Sequence, residues 1–261
     1  MNKDLLTSHI LDFELKQDIK KILGIYESAA FSHVTKNTKF LTPNQLKLTE
    51  NILFSLDEIQ YKAFSPNQDA ERKVLYFYQD YVAFEEIDSV IAILKISYNP
   101  KHSQLSHRDY LGSILALGIE RENVGDIVVG EEGQAYIMVL KPMDQFLLDN
   151  LDKVKNEKVK VEIVDNLPFL EAKFEEVIIN VASIRIDSVI ARLLGLSRDK
   201  AQSLVQSGRV YIDYAESKDK SVSLKEGTVI SVRGFGKFRF DEIVTETKKN
   251  RFRVKFLKYL N

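Results

Sequence analysis

The chain has 261 residues, 44% of them hydrophobic and 29% charged, with a formal net charge of −1 and no cysteine. That composition suits a soluble globular protein with a real core, and no apolar run approaches the roughly 20 residues a membrane helix needs. Without cysteine there are no disulfides, thiolate zinc sites or cysteine nucleophiles, and the mixed acids and bases of the first 21 residues lack a secretory apolar stretch, so the cytoplasm is the expected location.

The near-neutral total conceals an asymmetry. Residues 181–261 carry 17 Lys and Arg against 9 Asp and Glu, whereas residues 1–180 carry 20 against 29. A basic segment of +8 beside an acidic one of −9 points to an anionic partner for the basic part, or to attraction between the two parts.

In chain order, residues 1–65 read as helical. Phe13, Ile19, Ile22 and Leu23 recur at helical spacing. A second helix starts at Thr42-Pro43-Asn44-Gln45, where Thr42 caps, Pro43 suits the first position and Gln45 closes a capping box. Ser65-Pro66-Asn67-Gln68-Asp69 is a turn-rich break. Strands are then predicted at 90–98, 126–129, 134–140 and 159–164, with helices at 107–117 and 146–154 and a turn at Gly130-Glu131-Glu132-Gly133. This β-α-β-β-α-β order is that of the ferredoxin-like, RRM-like motif. The base-stacking aromatic signature of RNA-recognition modules is missing from Gln134-Ala135-Tyr136-Ile137-Met138-Val139-Leu140.

The C-terminal third begins with a connecting strand at 176–181. In Arg185-Ile186-Asp187-Ser188-Val189-Ile190-Ala191-Arg192-Leu193-Leu194, helical geometry puts Ile186, Val189, Ile190 and Leu193 on one face and Arg185, Ser188 and Arg192 on another. Gly195-Leu196 breaks that helix and Ser197 caps the next, 198–206. The second helix buries Ala201, Leu204 and Val205 and leaves Arg198, Lys200, Gln202 and Gln206 at its margins. Ser207-Gly208 stops it, and Arg209 opens a strand. Two such helices can present Arg185, Arg192 and Arg198 on one surface, where the planar guanidinium fork suits phosphate. Farther on, Lys237-Phe238-Arg239-Phe240 follows Arg233-Gly234-Phe235-Gly236, and Arg251-Phe252-Arg253-Val254-Lys255-Phe256 alternates strictly. As strands these put Arg251, Arg253 and Lys255 on one face, toward solvent or phosphate. The candidate contacts to a phosphate-bearing partner are therefore Arg185, Arg192, Arg198, Lys200, Gln202, Gln206, Arg209, Arg233, Lys237, Arg251, Arg253 and Lys255.

Arg185-Ile186-Asp187, Ser197-Arg198-x-x-Ala201 and Ser207-Gly208-Arg209-Val210 resemble the S4 RNA-binding domain, as does Lys225-Glu226-Gly227 followed by Val229-Ile230-Ser231-Val232. The pattern makes Asp187 a structural acid. Ser106-His107-Arg108-Asp109-Tyr110-Leu111-Gly112, Leu117-Gly118-Ile119-x-Arg121, Gly125-Asp126-Ile127 and Phe40-Leu41-Thr42-Pro43-x-Gln45 resemble the YlmH family. That resemblance implies a bacterial cytoplasmic protein on the large ribosomal subunit, contacting ribosomal RNA and tRNA, with links to rescue of stalled ribosomes and to cell division.

No catalytic motif stands out in the sequence. His107-Arg108-Asp109 lacks the glycine-rich loop and Asp-Phe-Gly of a kinase. His9, His33, His102 and His107 are scattered, so no metal is expected, and no nucleotide-binding glycine fingerprint occurs. The Gly-Arg-Leu-Asp motif of pseudouridine synthases is also missing. Asp109 and Asp126 read as helix-start and turn residues. The expectation is a non-catalytic α+β protein without cofactor or membrane segment. Its expected domains are a helical one at 1–68, a ferredoxin-like one at 69–172 and an S4-like one at 173–261. Structured RNA is the expected partner; an RNA-modifying enzyme and a protein-interaction scaffold are the alternatives.

Overall fold

The computed structural model describes residues 1–67, 70–101, 104–130, 133–168, 174–246 and 251–260. Gln68, Asp69, His102, Glu131, Glu132 and the expected junction at residues 172 and 173 lie outside the described residues. The chain forms two compact units, Met1–Leu170 and Glu171–Asn261.

The first unit opens with α1 (Lys3–Leu6) and α2 (Phe13–Ser32), the latter capped by Asp12, whose carboxylate accepts from Leu15 N at 2.9 Å. Strand β1 (Lys36–Leu41) leads into α3 (Pro43–Leu53), which starts with the expected capping box between Thr42 and Gln45. Strands β2 (Gln60–Phe64) and β3 (Lys73–Tyr78) follow. The N-terminal part is therefore not all helical: β1, β3 and β2 form an antiparallel sheet in that order. Its central strand, β3, lies beyond the break expected at 65–69, so the sheet crosses the boundary at residue 68. Pairing between strands more than 30 residues apart leaves little trace in local periodicity. Thr38 illustrates the long-range element, its buried hydroxyl accepting from Leu75 N at 3.0 Å.

Next come β4 (Ile91–Ser97), α4 (His107–Ala116), β5 (Val124–Val129), β6 (Gln134–Leu140) and α5 (Met143–Asn150). A small hairpin, β7 (Lys153–Val154) with β8 (Glu157–Lys158), precedes β9 (Lys160–Val164). Helix α5 thus starts and stops earlier than the predicted 146–154, and Val154 belongs to the hairpin. The sheet order is β5-β6-β4-β9, all antiparallel. One face packs Leu94, Ile96, Ile137 and Val139 against Tyr110, Ile114 and Leu147 of the helices. On the other face Ile91, Met138 and Leu140 pack against Phe40, Val74 and Tyr76 of the first sheet. Burial on both faces explains why β6 is an almost unbroken apolar run.

In the second unit, β10 (Phe174–Val181) precedes α6 (Ile186–Leu193) and α7 (Arg198–Gln206). Strands β11 (Val210–Ile212), β12 (Ala215–Glu216), β13 (Val229–Val232), β14 (Gly236–Glu246) and β15 (Phe252–Tyr259) complete it. The sheet order is β10-β15-β14-β13-β11-β12. Ile186, Val189, Ile190, Ala201 and Val205 of the helices pack with Ile179, Ile230, Phe238, Phe240, Val254 and Phe256 of the sheet. Leu193, predicted to share that face, is only half-buried at its edge.

Candidate nucleic-acid interface

The two helices of the second unit are joined by a buried carboxylate. Asp187 sits at the start of α6 with no solvent exposure. Its Oδ2 accepts from Arg198 Nε and from Gln202 Nε2, both at 3.0 Å, and its Oδ1 accepts from Ser188 N at 2.9 Å. Arg198 Nη2 also lies 3.0 Å from Oδ2, and Arg185 Nε lies 3.5 Å from Oδ1. Burial opposes the charge on Asp187, but bonds from Gln202 and Arg198, with the nearby Arg185, outweigh it and hold the carboxyl below its ordinary range. Three predicted contact residues, Arg185, Arg198 and Gln202, thus converge on one acid. Lys220 Nζ approaches from the other side, 3.4 Å from Gln202 Oε1.

Around this hub the remaining cations differ in what they are free to do. Arg192, in the last turn of α6, is exposed and joins none of the Asp187 contacts. Lys200, Gln206 and Arg209 are exposed on and just after α7. Gly208 ends that helix with φ +69°, a left-handed conformation that favours glycine. Arg209 and Arg233 are tied reciprocally: Arg233 N donates to Arg209 O at 2.9 Å, and Arg209 Nη2 donates to Arg233 O at 3.0 Å. The Arg233 guanidinium lies 5.1 Å from the Tyr211 ring centroid.

Two lysines are committed within the fold. Lys237 Nζ donates to Tyr214 Oη at 3.0 Å and stands 4.6 Å and 4.5 Å from the ring centroids of Tyr214 and Tyr259. Burial pushes its ammonium down to about 8. Strand alternation alone sets Lys255 toward solvent or phosphate with Arg251 and Arg253. Instead it pairs with Asp241 at 2.8 Å and Glu242 at 2.7 Å, since the strand register and bulge of β14 set those acids beside it. The two carboxylates hold its ammonium above its usual range, so its charge is already answered. Arg251 and Arg253 are exposed. Lys237→Met is therefore expected to leave RNA affinity unchanged in a filter-binding titration, unlike changes at Arg192 or Lys200.

The first unit offers a less accessible surface. The sheet face on which an RNA-recognition module would stack bases is covered by Phe40, Val74 and Tyr76. Asp126 lies in β5, not in a turn, and its carboxylate accepts from Glu71 N at 2.6 Å and Arg72 N at 3.2 Å, fastening the two sheets together. Asp109 closes the α4 capping box with Ser106, as its position suggests. Among the described residues, no group of His, Asp and Glu is arranged to hold a metal, and no helix is long and apolar enough to cross a membrane.

Residues 184–230 match the S4 domain, and residues 85–167 match the family described as "Putative RNA-binding domain in YlmH". The ribosome-associated protein quality control protein P2 of Bacillus subtilis (strain 168) is 31% identical over 226 residues, spanning 85% of this chain and 86% of that protein. The chain belongs to the YlmH family. Among solved structures, the cell division protein ylmH from Streptococcus pneumoniae matches this YlmH-family chain with a TM-score of 0.50 and 27% identity, over 59% of this chain and 93% of that one. The S4 match contains Arg185, Arg192, Arg198, Lys200, Gln202, Gln206 and Arg209, while Arg233, Lys237, Arg251, Arg253 and Lys255 lie beyond it. Sequence reasoning passed over Tyr211, Tyr214 and Lys220. Phe235 stood out only as part of a glycine-flanked turn.

Proposed function

We propose that this YlmH-family protein is a non-catalytic RNA-binding protein that works on the ribosome, gripping structured RNA with the Glu171–Asn261 unit. One observation carries the reading: a buried acid locks two helices of the S4 match together, and Arg192, Lys200, Gln206 and Arg209 stand exposed on those helices and just after them. Such a surface supplies preorganised cations to phosphate without spending them on carboxylates. The name of the Bacillus relative supports a ribosomal setting. We extend it to the large subunit, with ribosomal RNA and tRNA as the contacted species, rescue of stalled ribosomes as the task and the cytoplasm as the place. The name of the Streptococcus neighbour supports a link to cell division. The middle part of the first unit is read as a ferredoxin-like domain, on the strength of its β5-β6-β4-β9 order. Commitment of Asp109 and Asp126 to backbone groups weighs against a modifying enzyme that uses them as acids.

Sedimentation tests this reading. The protein is expected to travel with large subunits in a low-salt sucrose gradient and to shift to free fractions as salt rises, because phosphate contacts release counterions. The isolated second unit is expected to retain RNA binding. Recovery only in ribosome-free fractions at low salt would remove the ribosomal assignment, and tight RNA binding by residues 1–170 alone would remove the assignment to the S4 unit.

A further inference from the structure

A shallow groove shares Lys200 and Arg209 with the basic surface and adds to them an apolar lining. It runs between α7 and the turn joining β13 to β14, lined by Leu196, Leu204 and Phe235 with Lys200, Ser207 and Arg209. Phe235 is 42% exposed, so part of its ring is open to a partner. Its place is set by backbone bonds: Phe235 N donates to Val232 O at 3.0 Å, and the preceding Arg233 is tied to Arg209 as described. Gly234 and Gly236 flank the ring with φ +87° and +125°, conformations that other residues rarely adopt. A Cβ on Gly234 would also come within 3.3 Å of Arg209 Nη2. The hairpin thus holds an aromatic ring beside aliphatic side chains, with two cations, the hydroxyls of Ser203 and Ser207, and no acid in the lining.

We infer that this groove receives one unpaired nucleotide of the bound RNA. Its base stacks on Phe235 against Leu196 and Leu204, and its phosphate is met by Lys200 and Arg209. Stacking is tolerant of base identity because every base has a π-face, so the groove would select an unpaired position rather than a sequence. Duplex RNA, read through phosphate and sugar, gives the cations the same contacts but leaves the ring empty. The inference rests on the RNA-binding reading above and adds to it a preference for a bulged or looped nucleotide.

The chain contains no tryptophan, so Phe235→Trp creates a single tryptophan reporter, excited apart from the tyrosines, in the full-length protein. Two probes suffice: an RNA hairpin with one bulged nucleotide, and the same hairpin fully paired. Binding of the bulged RNA is expected to quench the Phe235→Trp emission, and the paired RNA is expected to leave it nearly unchanged. Phe235→Ala is expected to lose about tenfold in affinity for the bulged RNA and little for the paired one. Phe235→Leu keeps an apolar side chain without a stacking plane and should behave like Phe235→Ala. Tight binding of bulged RNA with unquenched Phe235→Trp emission would overturn the inference, as would equal losses for both RNAs in a Phe235→Ala protein with wild-type circular dichroism. If wild-type protein bound neither RNA, the RNA-binding reading itself would fall, and this inference with it.

Discussion

Asp187→Ala is expected to cost the second unit about 3–5 kcal/mol and with it RNA binding, because the change removes the acid that Arg198, Gln202 and Ser188 all address. The loss combines the missing attraction with the orphaning of Ser188 N and the Gln202 amide, while the exposed Arg198 and Arg185 can turn to water. Asp187→Asn keeps an acceptor for one or two of those bonds and should fall between wild type and Asp187→Ala. The carboxyl titrates below its ordinary range in the folded protein, so it binds its proton less readily there than in the unfolded chain. Its contribution is therefore complete above the unfolded value, near about 4, and is lost as pH falls through the lower folded value. Denaturant titrations of wild type and Asp187→Ala across pH 2–7 measure both effects. The difference between the two proteins should be largest at neutral pH and shrink toward the acid end. A constant difference over that range would show that Asp187 matters only as packing volume.

Reversing the free cations should do the opposite, sparing the fold and breaking the grip. Arg192→Glu combined with Lys200→Glu is expected to weaken RNA binding roughly a hundredfold, since each charge-assisted bond to phosphate is worth about a factor of ten. The slope of log affinity against log salt should fall by up to about one for each phosphate no longer neutralised. Both side chains are exposed and neither takes part in the Asp187 network, so circular dichroism and melting should stay near wild type. Arg198→Ala makes an informative contrast. Although its side chain is 57% exposed, it donates to a fully buried carboxylate, so its removal should also cost stability, about 1–3 kcal/mol. An Arg192→Glu, Lys200→Glu protein that binds with unchanged affinity and slope would move the RNA surface elsewhere, most directly to Arg251 and Arg253.

Local patterns carried much of this structure. The 3.6-residue apolar spacing of α6 and α7, the break at Gly195, the cap at Ser197 and the stop at Gly208 are short-range effects, and each is found where residue chemistry places it. The strict alternation of residues 252–256 likewise assigns Val254 and Phe256 to the core before any partner strand is known. The charge division between the two parts of the chain is a property of composition and needs no fold.

What tertiary structure decided is who answers each charge. Arg192 and Arg198 look alike in sequence, yet one is free and the other is bound to Asp187 across a helix–helix contact. Lys255 reads as a strand-face cation until the register of β14 sets Asp241 and Glu242 beside it. Lys237 falls between two tyrosine rings 22 or more residues away along the chain. The sheet of β1, β3 and β2 is hidden for the same reason: its central strand lies past a turn that looks like a boundary and pairs with a strand more than 30 residues earlier. Periodicity reports which face of an element is buried. It carries no information on the pairing of distant side chains, and in this protein that pairing separates the cations left open to RNA from those consumed by the fold.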